Sequence, residues 1–111
     1  MIFVSILYFL NHTDVDTWVA VIYDNDWFPG IVEEVADDGK IKIKFMKPIS
    51  GNKFAWPTKP DVDVIPSEDI LAKLQDPPIP MTRHRRHFAL TEAEHAHIDS
   101  LHQIWIAENV Y

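Results

Sequence analysis

A mainly β chain, a small five-stranded antiparallel barrel followed by a C-terminal α-helix, is the fold class that these 111 residues predict. Three observations lead there. Short β-prone runs follow one another between residues 18 and 65 with turn-forming residues between them, the spacing of a small antiparallel barrel. One run, Lys40-Ile41-Lys42-Ile43-Lys44-Phe45, alternates strictly, so Ile41, Ile43 and Phe45 face a core while Lys42 and Lys44 face water. After a proline-rich stretch, Thr91-Glu92-Ala93-Glu94 has the Thr-x-x-Glu form of a capping box and opens a helical pattern.

Taken in order, residues 1–14 begin with the apolar run MIFVSILYFL. It lacks a basic leader and a small-residue cleavage site, and ten residues are too few to cross a bilayer. Its Ile, Phe, Val and Tyr suit a strand that packs on the domain or on a partner. Residues 15–75 form the expected barrel. Trp18-Val19-Ala20-Val21-Ile22-Tyr23 is β-branched and aromatic and ends at the turn residues Asp24-Asn25-Asp26. A second strand spans residues 27–36 and stops at Asp37-Asp38-Gly39, a hairpin signal that leads directly into the alternating third run.

Residues 48–52 read as a loop, Lys53-Phe54-Ala55-Trp56 as a fourth strand that Pro57 ends, and residues 61–65 as a fifth in which Val62 and Val64 alternate with acids. Ser67 precedes Glu68-Asp69-Ile70-Leu71, which reads as one helical turn plugging an end of the barrel. Pro77, Pro78 and Pro80 remove backbone donors and fix φ, so residues 76–90 read as a stiff connector carrying a basic cluster, Arg83-His84-Arg85-Arg86-His87. The helix is expected over residues 91–108, with Ile98, Leu101, Ile104 and Trp105 forming an apolar stripe for the barrel or a second chain.

Composition narrows the function classes. A formal charge of −7 with only ten Lys and Arg argues against a nonspecific grip on nucleic acid and for basic partners. No cysteine is present, which excludes disulfides, thiolate catalysis and Cys-ligated zinc and suits an intracellular address, the cytosol or the nucleus. Six histidines raise the question of metal, but His95, His97 and His102 lack the i, i+4 pairing that puts two imidazoles on one helical face. No nucleophile elbow or other positioning motif occurs. The expectation is therefore no catalytic residues, no metal and no cofactor.

The runs Val19-Ala20-Val21-Ile22-Tyr23, Trp27-Phe28-Pro29-Gly30-Ile31-Val32 and Ile41-Lys42-Ile43-Lys44-Phe45 together resemble the first three strands of Tudor-type SH3-like barrels, over roughly residues 16–74. That resemblance implies an aromatic cage for methylated Lys or Arg, in which ring faces attract the methylated cation. By position it implies Tyr23, Phe28 and Phe45 as cage rings. Strand parity agrees, since each ring ends a row with inward-facing residues: Val19 and Val21, Gly30 and Val32, Ile41 and Ile43. Asn52 is the candidate polar contact, Phe54 or Trp56 the remaining wall, and Asp24 and Asp26 supply an acidic rim. Lys47 near the pocket would repel a cation. Trp27 has the opposite parity and is expected outside the barrel, against the C-terminal segment.

The implied partner is a basic, methylated peptide such as a histone tail, bound by a noncatalytic module in chromatin or RNA-related assemblies. Two other readings stand beside it. In one, the rings are core, and the N-terminal segment and the helix stripe drive homo-oligomerisation. In the other, Arg83, Arg85, Arg86 and the Lys40, Lys42, Lys44 row contact nucleic acid.

Overall fold

In a computed structural model that describes residues 15–110, the chain forms two antiparallel sheets and one C-terminal helix. The apolar run at residues 1–14 lies outside the described residues. Nine strands occur among the described residues: β1 (Trp18–Tyr23), β2 (Asp26–Val35), β3 (Lys40–Phe45), β4 (Lys47–Ser50), β5 (Lys53–Ala55), β6 (Asp61–Pro66), β7 (Ile70–Lys73), β8 (Ile79–Met81) and β9 (His84–Ala89). A 3-10 turn, Ser67–Asp69, separates β6 from β7, and the helix α1 spans Glu92–Asn109.

The first sheet has the order β6-β3-β2-β1-β7. Its two edge strands are consecutive in sequence and joined only by Ser67–Asp69. Pro66 pairs with Lys40 at one edge and Ile70 with Val21 at the other. Four chain steps reach at most about 14 Å, whereas four strand spacings in a flat sheet take about 19 Å. The sheet must therefore curl strongly where β6 passes into β7. Gly30 sits inside this curl. A Cβ there would collide with Ile43 Cγ2 and lie 3.0 Å from the Lys44 carbonyl oxygen, so the close approach of β2 and β3 requires glycine.

The five strands are not the expected five. Lys53–Ala55 leaves the first sheet and pairs with β9, and its place is taken by Ile70–Lys73, expected as part of a helical turn. Residues 48–52, expected as a loop, contribute to β4, which pairs with β5. The stretch expected as a stiff connector, residues 76–90, contains β8 and β9, and the second sheet runs β4-β5-β9-β8. Proline does not prevent this. Pro80 lies in β8, an edge strand, which is where a sheet tolerates proline.

Both faces of β1 are buried. Val19 and Val21 join Val32, Ile41, Ile43, Phe45, Ile65 and Ile70 inside the curl. Ala20 and Ile22 face the other way, into a second core with Trp27, Met46, Phe54, Leu71, Leu74, Leu90 and Ile98. The second sheet and α1 cover that outer face. Thr91 caps the helix by accepting from the Glu94 N–H at 3.1 Å, as the capping box predicts. Of the expected stripe, Ile98 is buried and Leu101 and Trp105 pack on the second core, but Ile104 is 45% exposed. His102 takes the buried position instead.

Candidate functional site

Three rings meet at the open end of the first core. Tyr23 closes β1, Phe28 lies early in β2 and Phe45 closes β3, and all three line a cavity of about 190 Å³ together with Met46, Lys47, Asp61 and Asp63. Phe45 is only 6% exposed and forms the floor. Phe28 packs half-buried on the core, and Tyr23, 57% exposed, stands at the rim. Tyr23 meets Phe28 edge-on, with centroids 6.4 Å apart and planes at 69°. An apolar protein cavity of about 150 Å³ accepts a benzene-sized guest, so the hollow is large enough for a methylated cationic head.

The turn that places Tyr23 follows from its residues. Asp24 and Asn25 both adopt positive φ, 54° and 64°, and Tyr23 pairs with Asp26 across them. That is the two-residue hairpin geometry in which Asp and Asn tolerate the left-handed backbone. Asp26 Oδ1 accepts from the Trp27 N–H at 2.8 Å. From the far side, His102 Nε2 bonds the Asn25 carbonyl oxygen at 2.9 Å, so α1 holds the turn. Asp24 and Asp26 are exposed turn residues and do not line the cavity.

Acid enters the site by another route. Phe45 pairs with Asp61, Ile43 with Asp63 and Ile41 with Ile65, so each acid shares a face with an inward-facing residue of β3. Val62 and Val64, which alternate with these acids, face outward and are 39% and 54% exposed. One oxygen of Asp63 is tied to the Val64 N–H at 2.8 Å. Two carboxylates and one ammonium, Lys47, thus border the rings and leave the mouth net acidic. Parity counted back from the apolar Ile65 identifies both acids from sequence alone.

The other expected cage residues belong to the second core. Phe54 is 3% exposed and packs on Trp27 and His95, at centroid distances of 5.7 and 6.2 Å. Trp56 packs on Trp18 and Phe88, at 5.6 and 6.3 Å, with the Lys44 ammonium 4.5 Å above its ring. Asn52 donates to the Leu90 carbonyl oxygen at 2.6 Å and ties β5 to the segment after β9. All three stand away from the hollow for one reason: β5 pairs with β9 rather than extending the first sheet.

Trp27 lies outside the curl against the C-terminal segment, as its parity predicts. Its indole Nε1–H donates to Asp99 Oδ1 at 2.8 Å, and its ring lies 5.5 Å from that of His95. His95 and His102 are therefore packing residues, while His97 is exposed. Among the described residues no group of three or more His, Cys, Asp or Glu could hold a metal ion. No described helix is long and apolar enough to cross a membrane. Comparison of the chain with protein-family models, curated proteins and solved structures gives no match.

Proposed function

We propose that this chain is a noncatalytic binding module that reads methylated Lys or Arg in a basic peptide. One observation carries the reading: Tyr23, Phe28 and Phe45 share an open hollow whose remaining wall supplies Asp61 and Asp63. Ring faces attract a methylated cation over a distance of about 6 Å, and carboxylates at the rim raise its local concentration. The scaffold alternative, in which all three rings are core, fits Phe45 but not Tyr23, more than half of which is open to solvent.

The finer fold assignment belongs to the same reading. A curled five-stranded sheet with a 3-10 turn before its last strand fits an SH3-like, Tudor-like barrel, and the second sheet and helix are additions to it. A histone tail or similar Lys- and Arg-rich segment is the partner chemistry that the acidic mouth favours, in chromatin or RNA-related assemblies and at a nuclear address.

Fluorescence anisotropy with labelled Lys and Arg peptides, unmethylated and methylated, tests the proposal. Saturable binding that is tighter for a methylated peptide, and weakened in Tyr23→Ala with the fold retained, is the expected result. Equal affinity for every methylation state, or none at all, overturns it.

A further inference from the structure

The second sheet gathers positive charge in a chain that is otherwise strongly acidic. Its two hairpins, residues 47–55 and 79–89, contain Lys47, Lys53, Arg83, Arg85 and Arg86 and no Asp or Glu. Those five cations give the hairpins +5, which leaves −12 on the remainder of the −7 chain. Half of the ten Lys and Arg therefore lie in one four-stranded sheet.

Register fixes the side on which they stand. Phe54 pairs with Phe88, and both rings belong to the second core. Residues of the other parity, Lys53 and His87, occupy the opposite face, where Lys47 joins them by pairing with Ala55. The register shifts between the Pro80–Phe88 and Met81–His84 pairs, so simple alternation ends there; Arg83 lies in the β8–β9 turn and Arg85 between His84 and His87. Lys47, Lys53, Arg83 and Arg85 are all exposed. Within β9 the imidazoles of His84 and His87 stack, with centroids 4.5 Å apart and planes at 28°.

We propose that the outer face of the second sheet binds single-stranded nucleic acid, with Lys47, Lys53, Arg83 and Arg85 meeting phosphates and the His84–His87 stack receiving bases. Single-strand binders combine a positive track with ring surfaces, because every base has a π-face. An acidic protein segment would use the cations alone and leave the stacked imidazoles without a role. This surface is separate from the aromatic hollow except at Lys47, so either function can fail without the other.

The test uses the whole chain and a fluorescein-labelled oligodeoxythymidylate of about 15 nucleotides, near the upper site size of small single-strand-binding folds. Four phosphate contacts predict a log–log salt slope of about −2.8 and an affinity loss of about 50-fold between 50 and 200 mM salt. Arg83→Gln with Arg85→Gln should halve that slope, and Lys40→Gln, outside the sheet, should leave it unchanged. His84→Ala should weaken binding at least about fivefold through lost stacking, with the slope intact. The proposal is overturned if the double Arg variant keeps the full slope. Tighter binding of a duplex of the same length overturns it as well, and so does displacement of the oligonucleotide by polyglutamate as effective as by unlabelled oligonucleotide, which would mark an acidic protein as the partner.

Discussion

Replacing Asp99 by alanine should destabilise the fold far more than its half-exposed side chain suggests. Asp99 Oδ1 is the acceptor for the Trp27 indole N–H, at 2.8 Å, and Trp27 is 6% exposed, packed on Phe54 and His95. Alanine leaves that part-buried N–H without its acceptor, and a buried donor deprived of its partner costs up to about 1–3 kcal/mol. The 3.5 Å contact with His95 adds little, because exposed ion pairs contribute roughly 0–1 kcal/mol. Trp27→Phe removes donor and partner need together, so in a double-mutant cycle Asp99→Ala should cost little in the Trp27→Phe background, giving a coupling of about 1 kcal/mol or more. Urea unfolding of the four proteins measures this. The consequence extends to the site, since α1 also holds the Asn25 carbonyl through His102. An Asp99→Ala protein within about 0.3 kcal/mol of the parent, below what such a lost bond costs, would refute the view that the helix is integral to the core.

Three further outcomes follow from the same geometry. Gly30→Ala should lower stability by about 1–3 kcal/mol in thermal melts, because its Cβ meets Ile43 and the Lys44 backbone rather than space; an unchanged melting temperature would show that β2 and β3 approach less closely. Tyr23→Ala, at a rim position 57% exposed, should weaken a methylated peptide by about 2- to 30-fold, the range of one cation–π contact, while leaving the unfolding midpoint nearly unchanged. Burial, reinforced by neighbouring Glu68, raises the Asp69 carboxyl above its ordinary value of 3.8. The folded state then holds that proton more tightly than the unfolded chain, so stability falls as pH rises from the ordinary value through the raised one. Asp69→Asn should remove that loss and be at least as stable at neutral pH, and a drop in stability there would contradict the assignment.

Where side-chain period and burial agree, the sequence alone is informative. β1 and β3 have the predicted limits, and the parity that points Tyr23, Phe28 and Phe45 to one end also brings them to one hollow. β7 escapes because Ile70, Leu71 and Ala72 are all buried, so no alternation marks it as a strand. β8 and β9 escape for another reason: β8 is three residues centred on a proline and β9 is mostly basic, and pairing of β9 with β5 and of β8 with β9 makes them strands. The outer cover of β1 had a sign, since Val19-Ala20-Val21-Ile22 is apolar on both faces, and a strand buried on both sides needs a second layer. Asp61 and Asp63 were legible by counting back from Ile65. Asn52, Phe54 and Trp56 were misplaced because local pattern cannot tell which distant strand β5 will pair with.

The aromatic hollow is tested most directly by amide-resolved NMR of the whole chain titrated with a methylated Lys or Arg peptide and with its unmethylated counterpart. Saturable shifts centred on Tyr23, Phe28, Phe45, Asp61 and Asp63, larger for the methylated peptide and absent from Phe54 and Trp56, are what the account predicts. Shifts that spread over the second core, or that ignore methylation, would contradict it.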